Sequence, residues 1–368
     1  MTTSPARLRT ARFAAQGIAA PGLRPTEVVE RMLAVQGQDL GQVLWAIGVR
    51  APGSTREDVR EAFDRGELVR SWPMRGTLHA LRPDDLRLLL SLTAERTLRT
   101  IARRATELGI DDALLGRARD TTVAALVGGR ALVRDDLFAA YRAAGIDPAG
   151  GRGYHLVLQL AQEGLVAWGP TARVGQGLVL LDEWAPATGE LPDRDEALRR
   201  VLLGYLRGRG PATEADAASW TRLPLGDLRR ARAAAGDAVE DLGDGLLALA
   251  DRPAADGPAA ARPAPARIPV GHLLPGFDEY LLGYADRSAQ LDPAHADRVV
   301  PGVNGMFLPM AVVRGRVVGT WKRTERRAGH LVTITPFGAL DASSVRALEA
   351  AAARYAAFLG APVATTVV

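Results

Sequence analysis

The sequence predicts an α+β protein in which a unit of helix, turn, helix and two-stranded wing occurs three times and a β-rich region follows. Three observations carry that expectation. The same order of helical and paired apolar segments returns at 54–81, 131–181 and 211–250, as expected of tandem winged-helix motifs. Beyond about residue 269 the apolar period shortens to two, as in a half-buried sheet. At 368 residues and 47% hydrophobic content, the chain is too long for one ordinary core and rich enough for two or three.

The elements follow in order. Residues 1–82 are the first expected unit: a capping box at Ser54 and Glu57 opens a helix on Val59, Ala62 and Phe63 that stops at Gly66, and apolar runs at 68–72 and 77–81 form its wing. Residues 83–130 read as a connector of two or three Arg/Leu/Ala-rich helices. The second unit, 131–190, has one helix through "RDDLFAAYRAAGI", another at 154–164, and a ribbon of "LVAWG" with "GLVLLDEW". The third, 191–250, caps "PATEADAASWTRL" with Thr213 and Asp216, continues in "PLGDLRRARAAAG", and closes "AVEDLG" on "GLLALAD" around 243–245. Residues 251–268 are Pro/Ala-rich and read as a surface linker. The tail, 269–368, reads as an antiparallel sheet with turns at 314–316 and in "RTERRAG", then a closing helix at 341–360.

Composition removes whole classes of chemistry. Without cysteine there is no disulfide, thiolate nucleophile or cysteine zinc site, and His79, His155, His272, His295 and His330 show no metal-ligand spacing. The expectation is therefore no metal and no cofactor. No apolar stretch is long enough for a membrane helix and no signal core stands at the N-terminus, which makes the cytoplasm the expected location and a monomer the default state. The formal net charge is only +4, yet Arg314, Arg316, Lys322, Arg323, Arg326 and Arg327 are opposed between 301 and 330 by Glu325 alone. Such clustering offers positive potential to a polyanion.

One short stretch stands out against this background. In "LAVQGQDLGQ", Gln36 and Gln38 lie one residue apart after an apolar helical run, with Asp39 beside them. Together with "LWAIGVR", "SWPMRGTLHAL", "LLPGFDEYLLGYADR" and "GMFLPMAVVRGRVVGTWKR", in that order, it resembles the winged-helix DNA glycosylase superfamily, on its AlkZ/YcaQ-like side, over residues 5 to 360. The resemblance implies three winged-helix motifs in a C-shaped, positively lined channel, and a catalytic Gln-x-Gln or Gln-x-Asp motif that falls on Gln36 and Gln38. The family's middle residue is usually hydrophobic, so Gly37 departs from the pattern. It also implies double-stranded DNA with alkylated purines as substrate, including interstrand crosslinks left by azinomycin-type natural products.

The chemistry is coherent with these residues. An N7-alkylated guanine already carries positive charge, so its glycosidic bond breaks without a strong general acid; what is needed is a placed water. Two neutral amides both donate and accept, and can orient one. A carboxylate pair, required when the leaving group is poor, is not. Asp39 is expected either to cap the next helix or to lend modest electrostatic support. Lys322 is the only lysine, which disfavours a Schiff-base lyase and favours a monofunctional enzyme. Lys322 and its arginine neighbours are expected on DNA, as phosphate or minor-groove contacts, or else as a solvated hairpin tip. Arg75, His79 and Trp72 are further expected DNA contacts, with half-buried packing the alternative for His79. Trp45 reads as core. Asp278, Glu279, Tyr280 and Asp286 read as a polar brace between the third unit and the sheet. "VPGVNG" resembles a helix-hairpin-helix turn but is followed by strand-like sequence. A non-enzymatic winged-helix regulator or drug-sequestering protein is the rival reading, weakened by the mostly apolar helix at 154–164.

Overall fold

A computed structural model of the chain describes residues 4–18, 22–172, 175–250, 270–303, 305–327 and 329–368. The expected linker at 251–268 lies outside the described residues. Three times the backbone runs through a helix, a strand of one or two residues, two more helices and an antiparallel strand pair. The first passage is Pro25–Met32, Val35–Gln36, Leu40–Gly48, Arg56–Asp64, then Val69–Met74 with Thr77–Leu81. The second is Asp112–Leu126, a bridge from Leu132 to Leu178, Arg134–Ala143, Arg152–Gln162, then Val166–Thr171 with Gln176–Leu180. The third is Arg194–Arg209, a bridge from Ala212 to Leu247, Glu214–Thr221, Leu225–Ala235, then Val239–Asp241 with Leu247–Leu249. The helix Pro83–Glu107 joins the first to the second. Asp112–Leu126, expected in a connector, packs instead on Arg134–Ala143.

Local chemistry fixes these boundaries. Thr55 and Asp58 form the capping box that opens Arg56–Asp64, one residue later than expected, because the Asp58 carboxylate reaches back to the Thr55 amide at 2.7 Å. Thr213 and Asp216 do the same for Glu214–Thr221. The "LDEW" segment, expected as strand, is a helical turn at Leu181–Trp184. There the Glu183 carboxylate accepts the amides of Gly128 and Gly129, both at 2.8 Å, and draws the chain out of the sheet.

The first two strand pairs are not separate wings. They join through Arg70 and Trp168 into one five-stranded sheet, with Val35–Gln36 added at its edge against His79 and Ala80. The C-terminal sheet also has five strands, ordered Val363–Val367, Gly329–Pro336, Arg316–Arg326, Met310–Val313 and Gly271–Leu274. It is mixed rather than purely antiparallel: the chain does not stop at its closing helix, Ala342–Leu359, but continues into Val363–Val367, parallel to Gly329–Pro336. Arg314 and Gly315, at φ +48° and +75°, make the expected tight turn between Met310–Val313 and Arg316–Arg326. One core cluster runs from the first and third helical passages into the C-terminal sheet, and a smaller one lies under the second passage. No helix among the described residues is long and apolar enough to cross a membrane.

Close backbone approach sets how the third passage meets the first. A Cβ at Gly208, in Arg194–Arg209, would stand 2.9 Å from the Arg31 carbonyl oxygen and 3.0 Å from the Met32 Cα. Gly208→Ala is expected to lower unfolding free energy by roughly 1–3 kcal/mol through overpacking. Gly116→Ala, with open space around a mid-helix glycine, is expected to raise it by about 0.5–1 kcal/mol. Urea midpoints compared with the parent protein check both; equal, small shifts would mean the helix contact is not tight.

Candidate active site

The approach to Gln36 begins with a backbone that few residues tolerate. After Pro25–Met32, Leu33 adopts φ +60° and ψ −47°, and the Ala34 amide bonds the Met32 carbonyl at 2.7 Å. This is a γ-turn of the rare positive-φ kind, with a leucine where no glycine relieves the strain. Its surroundings hold it. Arg209 donates to the Met32 carbonyl at 2.8 Å and to the Ala34 carbonyl at 2.9 Å, clasping both sides of the turn, while the Leu33 side chain packs against Gly204. The turn delivers the chain into Val35–Gln36.

Glu279 lies directly behind that strand. Its carboxylate, fully buried, accepts the Gln36 backbone amide at 2.9 Å, two N–H groups of Arg209 at 2.7 and 3.2 Å, and the Trp220 indole at 2.8 Å. Burial alone would raise its pKa, but the charge of Arg209, aided by Arg75, outweighs burial and lowers it. The preceding residue repeats the device: Asp278 takes a two-pronged, fully buried pair from Arg50 at 2.8 and 2.9 Å. The polar brace expected between the third unit and the sheet instead ties the third helical passage, through Glu279, to the backbone of Gln36 in the first. Its reach to Gln36 was not legible from the sequence; two acids inside the otherwise apolar "LLPGFDEYLLGY" were the available sign.

The motif itself is divided between interior and surface. Gln36 is 6% exposed, and its amide side chain makes no hydrogen bond among the described residues. Gln38 is exposed, and its Oε1 accepts the Leu78 amide at 3.1 Å, which fixes the orientation of its own amide group. Gly37 between them is buried against the adjoining strand: a Cβ there would meet the Ala80 nitrogen at 3.2 Å and the Arg70 Cδ at 3.3 Å. The Arg70 stem therefore fills the space of a middle side chain, and its guanidinium donates to the Gly37 carbonyl at 3.0 Å. Burial lowers the Arg70 pKa to about 10, an effect opposed by the charge of Asp39. Asp39 is the N-cap of Leu40–Gly48, accepting the Gln42 amide at 2.8 Å.

The expected DNA contacts separate into two groups. Trp72 is 1% exposed and donates to the Tyr154 hydroxyl at 3.0 Å, so it is a core side chain rather than a DNA contact. His79 is likewise buried; desolvation, partly offset by Glu279, pushes its pKa down to about 4, leaving a neutral ring whose Nε2 has no partner. Trp72 corrects the expectation and His79 takes the packing alternative, because both faces of the strands that carry them are covered. Lys322, Arg323, Arg326 and Arg327 are exposed along one hairpin. Arg323 reaches Tyr355 at 3.4 Å, and Tyr355 packs 4.8 Å from Trp45 in Leu40–Gly48, the helix that Asp39 caps. Arg314 and Arg316 are exposed at the opposite end of the 11-residue strand, about 30 Å away at 3.3 Å per residue. The basic residues are therefore two patches, not one. Arg75 is half-buried at φ +61° in the turn between Val69–Met74 and Thr77–Leu81.

Comparison with known proteins gives this geometry a context. The family described as "DNA glycosylase AlkZ-like" matches residues 29–358. A relative from Streptomyces sahachiroi, named "Interstrand DNA cross-link repair glycosylase", is 29% identical over 345 residues, covering 90% of each chain. The solved structure of Streptomyces sahachiroi DNA glycosylase AlkZ aligns over 100% of both chains with a TM-score of 0.80 at 26% identity. The match spans both the helical passages and the C-terminal sheet, including every segment that surrounds Gln36. The chain belongs to the AlkZ-like family of DNA glycosylases, enzymes that hydrolyse N-glycosidic bonds in DNA.

Proposed function

We propose that the protein excises bulky cationic N7-alkylpurines from duplex DNA by monofunctional hydrolysis and unhooks interstrand crosslinks of the same chemistry. The observation that carries this reading is a pair of neutral amides, Gln36 and Gln38, mounted on a rigid, charge-locked strand edge with only a narrow opening to solvent at Gln36. Gln36 is free to engage a water, and Gln38 retains a second lone pair and both amide hydrogens after accepting from Leu78. Their task is orientation beneath C1′ of a sugar whose purine leaves readily; Asp39 contributes by capping and by its negative charge beside Arg70. The name of the Streptomyces sahachiroi relative supports the extension to crosslinks.

The three helical passages fit tandem winged-helix motifs, at 1–82, 131–190 and 191–250, arranged as a C-shaped channel. An open channel suits lesions that cannot be flipped into a closed pocket because they are tethered across the duplex. The hairpin of Lys322, Arg323, Arg326 and Arg327 then grips phosphates or enters a groove, with Arg314 and Arg316 serving a separate contact. With Lys322 the sole lysine, hydrolysis without strand cleavage is the outcome this reading requires.

Excision measured side by side on duplexes carrying 7-methylguanine, a bulky N7 monoadduct and a natural-product crosslink tests the substrate. Gln36→Ala combined with Gln38→Ala is expected to slow excision about 100-fold or more, the scale of lost orientation, with duplex affinity within about threefold. Equal loss of affinity and rate would instead make the amides part of DNA binding. Neither glutamine titrates and His79 stays neutral well below neutrality, so kcat/KM should be flat from about pH 6 to 9; a bell-shaped profile would require a titrating acid or base.

Stability has its own pH dependence. His79 binds a proton below about 6.5 when unfolded but only below about 4 when folded. Between those values the unfolded state holds more protons, so the contribution is complete above about pH 6.5 and is lost as pH falls toward 4, amounting to as much as about 3 kcal/mol. Unfolding free energies at pH 7 and 4.5 should therefore fall more steeply for the parent than for His79→Asn, and parallel losses would contradict a buried neutral imidazole.

A further inference from the structure

Away from the glutamine motif, a pocket of about 280 Å3 opens where three parts of the chain converge. Arg75 comes from the turn of the first wing, Arg96 from the middle of Pro83–Glu107, and Arg222 from the end of Glu214–Thr221. No acidic side chain lines it, and among the described residues none of the three guanidinium groups forms an ion pair or a side-chain hydrogen bond. Most other arginines among the described residues do find a carboxylate or a carbonyl, as Arg99 and Arg104 do on the same helix. Arg96 and Arg222 reach solvent, but Arg75 is half-buried, and a guanidinium held there with no hydrogen-bond partner is costly unless an anion completes the set.

Two further features point the same way. Arg75 and Arg222 both occupy the left-handed region, at φ +61° and +62°, where an L side chain is disfavoured and where strain concentrates at functional positions. The Nη1 atom of Arg75 is buried with no partner. Burial lowers the Arg75 pKa; Glu279 partly opposes this, Arg222 and other arginines nearby add to it, and a bound anion would relieve it. The threonine hydroxyls on the pocket wall are already turned to their own helix: Thr97 donates to the Thr93 carbonyl at 3.0 Å and Thr100 to the Arg96 carbonyl at 2.9 Å. The arginine N–H groups are thus the donors that face a ligand.

We propose that Arg75, Arg96 and Arg222 form a phosphodiester site that holds one backbone phosphate of the DNA at a fixed distance from the excised base. Arg75 stands in the turn that leads into Thr77–Leu81, whose His79 is the partner of Gln36 in the sheet; two strand steps of about 3.3 Å and the turn put it roughly 10 Å away. At about 3.4 Å of helix rise per nucleotide, the gripped phosphate lies within about four nucleotides of the lesion. The site would index the duplex, using one wing, the connecting helix and the third helical passage as three jaws.

A methylphosphonate scan tests this on the full chain. Duplexes carrying a stable abasic analogue receive one neutral methylphosphonate at each position within about five nucleotides of it, on either strand, and binding is measured at about 0.1 M salt. One position should weaken binding by the parent protein about eightfold, the effect of losing one phosphate contact at a slope of about 0.9 in log affinity against log salt. Arg96→Gln, an exposed substitution that leaves the interior intact, and Arg75→Gln with Arg222→Gln should each reduce affinity for unmodified duplex and erase the penalty at that same position. Variants that keep the parent's position-by-position pattern would overturn the proposal. So would competition by orthophosphate, at constant ionic strength, without any positional effect, which would assign the pocket to a free phosphate instead.

Discussion

A single buried carboxylate organises the part of this molecule that carries Gln36. Glu279 accepts four donors from three parts of the chain: the Gln36 amide, the Nε and Nη2 groups of Arg209 and the Trp220 indole. A buried charge left unpaired is strongly destabilising, whereas one surrounded by donors defines a unique geometry. Arg209 uses its remaining N–H to clasp the carbonyls that flank Leu33. Charge, turn and strand therefore form one unit, and no member can shift without stranding a partner in a dry interior.

The strained backbone at Leu33 makes sense only within that unit. A leucine at φ +60° would relax if it were free, and the guanidinium clasp together with the Gly204 contact keeps it in place. What emerges on the far side of the turn is a two-residue strand too short to hold its own position. It is held by His79 and Ala80 on one flank and Glu279 behind it. The glycine at position 37 follows from the same economy of space, since the Arg70 stem already occupies the gap that a larger middle residue would fill. The departure from the family's usual hydrophobic residue is thus compensated from the neighbouring strand, with the Arg70 charge brought close to Asp39.

Much of this was readable from residues in order. Local signals gave the helices: the threonine and aspartate caps, the turn glycines and the alternation of the C-terminal strands are short-range chemistry, so they survive in sequence. The Gln36 and Gln38 pair was visible through its resemblance to a family. What could not be read was anything set by distant partners. The Arg70 and Trp168 pairing that fuses two strand pairs into one sheet has no local sign. Trp72 was expected to stack on a base and His79 to lie near the site by resemblance, and the covered faces of their strands leave no alternation to mark them as interior. The capping box slipped by one residue because Ser54 and Thr55 are chemically equivalent starts, and the aspartate at 58 decides between them. The parallel strand Val363–Val367 was missed because a helix separates it from its partner, and only the crossover reveals the pairing.

That last strand changes the mechanics of the basic hairpin. Residues 363–367 pair with 330–334, the half of Gly329–Pro336 nearest the hairpin tip. A two-stranded ribbon on its own is marginally stable in water and bends easily. Here the terminal segment acts as a splint along its root, so the ribbon behaves as a stiff finger whose tip moves with the sheet. The stiffness of an element that carries four cations thus resides in a handful of uncharged residues at the far end of the chain, and trimming them would blunt the finger without removing any of its charge.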